Sequence, residues 1–185
     1  MDRLREIFDI DVLFTHFPLH PETPEAGLTL EQLFAGRSID VAAAKMKMSR
    51  LMAEEKLPYG ERVMTYNSRR AQELAKWVTA KGGAISIHDS LFQAYFVDGR
   101  NIANIDTLVE IARVTGESAE EAHDVLTKGT FAQQVDRDWQ RSRQLDITGV
   151  PTFLVGQHLL VGAQSYHALV QLLVAGGAKR RSEAC

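Results

Sequence analysis

The stretch TGVPTFLVG, Thr148 to Gly156, sets a proline at the mouth of a run that otherwise reads as a β-strand. Thr152-Phe153-Leu154-Val155 is β-branched and aromatic, the composition that suits a pleated, half-buried surface. Gly156-Gln157 follows, and then His158-Leu159-Leu160-Val161. Two short apolar runs separated by two residues, with glycine first where positive φ is needed, predict a β-hairpin. Pro151 has no amide hydrogen to give to a ladder, so its local reading is the first position of an edge strand.

Outward from the hairpin the period turns helical. Downstream, Ser165 to Ala175 predicts a closing helix with Ala168, Leu169, Leu172 and Leu173 toward a core and Gly176-Gly177 as its stop. Upstream, Thr130 to Gln144 reads as one long helix. Asn104 to Thr115 and Ser118 to Thr127 form a helical pair, the second opened by the capping box SAEE. ISIHDSLFQAYFVDGR sets Leu91, Phe92, Tyr95 and Phe96 on one thick apolar stripe that calls for burial. Asn67 or Ser68 caps a helix carrying Ala71, Leu74, Ala75 and Val78 on one face and ending at Lys81 to Gly83. Ser38 caps another to about Lys56, and Thr29 to Ala35 is a short helix closed by Gly36. The three prolines of PLHPETPEAG make an extended loop. Before it, Asp11 to Phe17 reads as a strand and Asp2 to Asp9 as a short amphipathic helix. The order helix, strand, many helices, hairpin, helix suits a mixed sheet carrying a helical insertion.

Composition narrows the class. A chain of 185 residues, 45% of them hydrophobic, buries the core of one domain or of one domain with a large insertion. The net charge of -3 argues against nucleic acid or an anionic membrane as partner, since both call for a basic field. Lys179-Arg180-Arg181 follows the terminal glycines and reads as a solvated tail. No apolar run approaches the roughly 20 residues of a membrane span, and Met1 to Ile10 lacks the pattern of a secretory signal. Cys185 is the single cysteine; with no intrachain disulfide available, a cytoplasmic, reducing compartment is expected.

GVPTFLV followed by LVGAQSYHALVQLL resembles the C-terminal part of the DsbA-like thioredoxin family, in particular its FrnE-type branch. FPLHPETPEAG, YNSRRAQELAKW and LFQAYFVDGRNI are similar to further segments of that branch, so the resemblance runs from about Leu4 to Leu173. It implies an α/β, thioredoxin-like fold with a large all-helical insertion. Residues 1–20 and 146–176 would form the thioredoxin-like part, 28–145 the insertion and 177–185 a tail. It also implies a cis proline at Val150-Pro151, where the backbone of the residue before proline pairs with a peptide or thiol substrate. Val150, Pro151, Thr152 and, by analogy, Asn67 are the implied substrate-binding residues, with Phe17 and Leu19 bordering the same groove. Asn67 is also readable as a plain helix cap.

The chain departs from the family pattern in one respect that bears on chemistry. The family's C-x-x-C pair sits at the N-terminus of the first helix, after the first strand, where free N–H groups stabilise a thiolate. Neither the pair nor that strand is in this sequence, and MDRLREIF is similar to the later part of that helix. The family pattern therefore begins upstream of Met1, and the expectation is an N-terminally shortened record of a longer protein, a thioredoxin-like fold lacking the usual first strand. Disulfide exchange needs an attacking thiolate and a resolving partner; Cys185 alone supplies at most a mixed disulfide. His16 and His20 straddle Pro18 and share no helical face for a metal. His88, His123, His158 and His167 are scattered, and Glu54-Glu55 and Glu120-Glu121 read as solvated faces. No catalytic residue and no metal ligand is assigned.

Three readings follow. The first is a thiol–disulfide oxidoreductase of DsbA/FrnE type whose redox pair is missing from the chain as given, using no cofactor. The second is a relative of kappa-class glutathione transferases and hydroxychromene-carboxylate isomerases, with glutathione as cosubstrate. The third is a non-catalytic, chaperone-like module whose groove and open sheet edges hold a peptide or a second copy in a homodimer.

Overall fold

The computed structural model describes residues 1–83 and 86–181. In chain order they form helix α1 (Asp2–Ile7), strand β1 (Leu28–Thr29), α2 (Leu30–Leu33), α3 (Val41–Glu54), β2 (Met64–Thr65), α4 (Arg69–Ala80) and α5 (Ser86–Phe92), which runs into a π-helical turn at Gln93–Val97. Then come α6 (Ile105–Val114), α7 (Ala119–Lys128), α8 (Ala132–Gln144), β3 (Thr152–Val155), β4 (His158–Val161) and α9 (Tyr166–Ala175). The chain divides into two compact units, one of Met1–Leu19 with the residues from Asp138 onward, the other His20–Arg137.

The first unit is held by a small apolar core. Leu4, Phe8 and Leu173 are buried, with Ile10, Val155, Tyr166, Leu169 and Val170 packed around them. Phe8 is fully buried, a contribution of about 1.5–3 kcal/mol for a side chain of that size. Ser165 caps α9 by accepting from the Ala168 N–H, so the closing helix starts where its sequence places it.

The second unit is helical around α4. Ala71, Leu74, Ala75, Trp77 and Val78 give α4 a wide buried face, packed with Ile87 and Leu91 of α5, Leu108 and Ile111 of α6, and Ala122 and Leu126 of α7. Asn104 caps α6 by accepting from Thr107 N–H at 2.9 Å, and Ser118 caps α7 by accepting from Glu121 N–H at 3.3 Å. A two-stranded ladder, β1 against β2, pairs Leu28 with Thr65 and Thr29 with Met64. The Tyr95 hydroxyl ties that ladder to the π-turn, sharing a 3.0 Å bond with Thr65 Oγ1 and accepting from the Arg62 guanidinium.

Several local expectations are corrected. Asp11 to Phe17 is not a strand: a strand is stable only when paired with another strand, and among the described residues no strand pairs with this segment. It is anchored instead by the His16 N–H donating to Asp138 Oδ2 at 2.8 Å and by Ser142 Oγ donating to the His16 carbonyl oxygen at 3.4 Å, and Leu13 is left exposed. Lys179 to Arg181 is not a solvated tail. Asp9 N–H donates to Lys179 O and Arg181 N–H to Ile7 O, both at 2.8 Å, while Phe8 and Arg180 form an antiparallel bridge.

The third helix is capped by Asp40, which accepts from Ala43 N–H at 3.0 Å, rather than by Ser38. The reciprocal capping box lies at Thr29 and Gln32; at SAEE only the Ser118 half forms. Phe92 is 56% exposed, because the wider π-turn that begins at Gln93 breaks the 3.6-residue register on which a single buried stripe depends.

Candidate functional site

The hairpin predicted from TFLV-GQ-HLLV forms with the expected boundaries. Val155 pairs with His158, Leu154 with Leu159, Phe153 with Leu160 and Thr152 with Val161, around Gly156 at φ +60°. Beyond the strands the register continues, with Gly162 N–H donating to the Pro151 carbonyl oxygen at 2.7 Å. In an antiparallel pair the residues alternate between those that bond across the ladder and those that face away. With Pro151 bonded toward β4, and Phe153 and Val155 in step with it, the N–H and C=O groups of Thr152 and Leu154 point to the opposite edge. Among the described residues no strand pairs with that edge. It forms a row of free donors and acceptors, the arrangement that accepts an added strand.

Just before that edge the Val150–Pro151 peptide is cis, and Val150 is 48% exposed. Thr152 Oγ1 donates to the Gly149 carbonyl oxygen at 2.7 Å, closing a tight turn around the two residues between them. Cross-strand pairing puts Thr152, Leu154, Leu159 and Val161 on one face of the hairpin. That face is apolar and open, with Leu154 37%, Leu159 39% and Val161 48% exposed. The other face is seated on α9: a Cβ at Gly176 would stand 2.3 Å from Val155 Cγ1, so only glycine lets the end of α9 approach β3 this closely. A rigid inner face thus presents a free edge with an apolar outer face beside it, suited to an extended peptide with apolar side chains.

Asn67 lies in the helical unit, and its polar atoms are engaged there. Its Nδ2 donates to Pro21 O at 3.0 Å and Thr23 O at 2.9 Å, and its Oδ1 accepts from Arg69 N–H at 2.9 Å. It therefore makes an Asx turn onto Arg69, the first residue of α4, whose N-cap position is Ser68, and ties down the proline loop at once. It also lines a cavity of about 190 Å³ with Glu25, Arg69, Arg70 and Ala103. Both arginines there are paired, Arg69 with Asp136 and Arg70 with Glu25. Nearby on α4, Glu73 is buried, and desolvation raises its carboxyl pKa against the pull of Arg69.

The remaining candidates separate. Phe17 is half-buried and Leu19 exposed. His16 belongs to one unit and His20 to the other; burial and then the charges of Arg37 and Arg62 hold the His20 imidazole below the ordinary histidine range. Glu54 pairs with Arg50 and Glu121 with Lys81. Cys185 lies outside the described residues. The site residues missed in the sequence are Leu154, which extends the free edge, and Gly149 and Gly162, which hold the turn. Their signal was present as G-x-P-T and V-G flanking the hairpin, but which carbonyl each glycine serves is a matter of register.

A family model described as DSBA-like thioredoxin domain matches residues 1–174. A solved structure of a probable DsbA oxidoreductase from Streptomyces coelicolor is similar at a TM-score of 0.82 and 26% identity, covering 96% of this chain and 80% of that one. The structure of a 2-hydroxychromene-2-carboxylate isomerase is similar at a TM-score of 0.62 and 20% identity, over 74% of this chain and 66% of that one, a likeness of fold. Among curated proteins, the uncharacterized protein YwbO of Bacillus subtilis (strain 168) is 35% identical over 75 residues, which is 40% of this chain and 37% of YwbO. The aligned part is thus well under half the length of that relative. The expected α/β, thioredoxin-like fold with a large helical insertion is the fold these comparisons support.

Proposed function

The chain belongs to the DSBA-like thioredoxin domain family, and from that premise we propose that it is a thiol–disulfide oxidoreductase of FrnE type, in which Val150, Pro151 and Thr152 hold an extended peptide or thiol substrate by strand addition. The observation that carries this reading is the half-exposed Val150 at the head of β3, in a turn held by the Gly162 N–H on the Pro151 carbonyl oxygen and by Thr152 Oγ1 on the Gly149 carbonyl oxygen, beside an exposed apolar face. The sequence contains one cysteine, and exchange requires a pair of thiols to pass two electrons and two protons. Residues 1–185 are therefore assigned the substrate-holding part of the reaction and not the electron transfer. In this reading Asn67 holds the Pro21–Thr23 loop and α4 in place, and the protein works in the cytoplasm. Among the described residues no helix is long and apolar enough to cross a membrane.

The test is amide chemical-shift mapping with the isotopically labelled chain and a cysteine-free, extended apolar peptide. The reading expects the amides of Val150, Thr152 and Leu154 to shift together and saturably. Absence of shifts there at millimolar peptide overturns it. The second reading, a glutathione-using isomerase, is supported at the level of fold by the likeness to the hydroxychromene-carboxylate enzyme. Glutathione is itself a short peptide and fits the same edge. Saturable binding of glutathione without binding of the longer peptide favours this second reading over the first.

A further inference from the structure

The third helix is apolar on more than one side, yet none of its residues is buried. Met46, Met48 and Leu51 are 69%, 45% and 39% exposed. An isolated helix of this length is marginal in water and draws its stability from a packed face. Ala44, Met48, Leu51 and Glu55 recur at intervals of four, three and four, the a/d seam of a coiled coil.

The charges along α3 run in the order an isolated helix disfavours. Lys45, Lys47 and Arg50 occupy its first two-thirds, while Glu54 and Glu55 sit at its C-terminal end, with no basic residue in the last turn. The macrodipole favours the opposite order. An antiparallel neighbour of the same sequence reverses that penalty, because it brings the basic half of one helix against the acidic end of the other. In heptad terms Lys47 and Glu54 are both g positions. Antiparallel pairing of Met48 with Leu51 therefore sets Lys47 beside Glu54 of the partner subunit, twice by symmetry. A parallel pair would stack Glu55 on its own copy; the antiparallel pair separates those two carboxylates by about 16 Å along the helix axis. Glu54 is free to exchange partners, since its contact with Arg50 is 3.6 Å long and both side chains are more than half exposed.

We propose that α3 is a self-association surface, pairing antiparallel with α3 of a second copy through Ala44, Met48 and Leu51, with Lys47 of each copy against Glu54 of the other. The contact is one helix face, less than the roughly 800 Å² per partner of a standard interface, so the dimer is expected to be weak and concentration-dependent.

The test is sedimentation equilibrium of the 185-residue chain from micromolar to hundreds of micromolar. A monomer–dimer equilibrium is expected in that range. Lys47→Glu turns two attractions into two repulsions and should weaken the dimer about tenfold; the double variant Lys47→Glu/Glu54→Lys should return it to near the parent value. Both sites are exposed, and circular dichroism serves to show that the fold is kept. A chain that stays monomeric throughout, a dimer indifferent to Lys47→Glu, or a charge swap that fails to rescue overturns the proposal. Leu154→Lys on the free edge of β3 should leave the dimer unchanged; if it dissociates the dimer, the sheet edge is the interface and the proposal falls.

Discussion

Gly162 and Pro151 are joined by a 2.7 Å hydrogen bond from the glycine amide to the proline carbonyl oxygen. That bond carries the register of the hairpin one pair beyond its strands. It turns Pro151 toward β4, and alternation then sends the backbone of Thr152 and Leu154 to the opposite edge. The glycine does this at φ +89°, a conformation that an L side chain adopts only with strain.

Gly162→Ala should therefore cost about 1–2 kcal/mol of stability, read as a lowered midpoint in urea unfolding. Space is not the cause, since nothing lies within 4 Å of an added Cβ. Gly162→Asn, which tolerates left-handed backbone better, should recover part of the loss. Equal losses for the two would point to something other than backbone strain.

Gly176→Ala acts through crowding instead. Its φ is −78°, open to any residue, but the added methyl would meet Val155 Cγ1 at 2.3 Å and the Val155 carbonyl oxygen at 3.0 Å. About 1–3 kcal/mol of destabilisation is expected. Combining it with Val155→Ala should give less than the sum of the two losses, because the smaller residue makes room; strict additivity would show that the two sites are not coupled.

Asn67 offers a chemical dissection. Asn67→Ala removes two donated bonds and one accepted bond, and a loss of about 2–3 kcal/mol is expected from net values near 1 kcal/mol each. Asn67→Asp keeps the oxygen that accepts from Arg69 N–H but cannot donate to Pro21 and Thr23. It should fall between the parent and the alanine variant in thermal unfolding only if the bond to Arg69 N–H contributes independently of the loop. Equal loss in both variants would place the whole effect in the loop.

His88 sets a direction for pH. It is buried; desolvation, opposed by Asp89 and aided by Lys76, lowers its pKa from 6.5. The unfolded chain binds that proton more readily than the folded one, so this contribution to stability is full above about pH 6.5 and is lost as pH falls below it. His20 is shifted the same way and adds to the slope. Glu73 works in the opposite direction, since its raised carboxyl pKa costs stability as pH rises; in denaturant unfolding between pH 5 and 8, His88→Gln should therefore make the slope of stability against pH less positive than in the parent. An unchanged slope in the variant would assign the effect elsewhere.

The parts of this protein legible in the sequence are those decided within a few residues. The hairpin at Thr152 to Val161, the caps at Asn104, Ser118 and Ser165, and the buried face of α4 each depend on a turn residue, a side-chain oxygen or a spacing that sits in one window of the chain. Val150, Pro151 and Thr152 were nominated by a likeness of motif. That Thr152 lies on the edge away from β4 follows from the bond of Pro151 to Gly162 and from the alternation of a ladder, neither of which a window displays.

Where long-range pairing decides, local composition misled. Asp11 to Phe17 has the residues of a strand but no strand pairs with it among the described residues, while Lys179 to Arg181 has the residues of a tail and is held by the backbone of Ile7 and Asp9. Pleating propensity belongs to the side chains and is written in the sequence. A β-strand or a bridge also needs a second backbone within hydrogen-bonding distance, and only the tertiary structure supplies or withholds it.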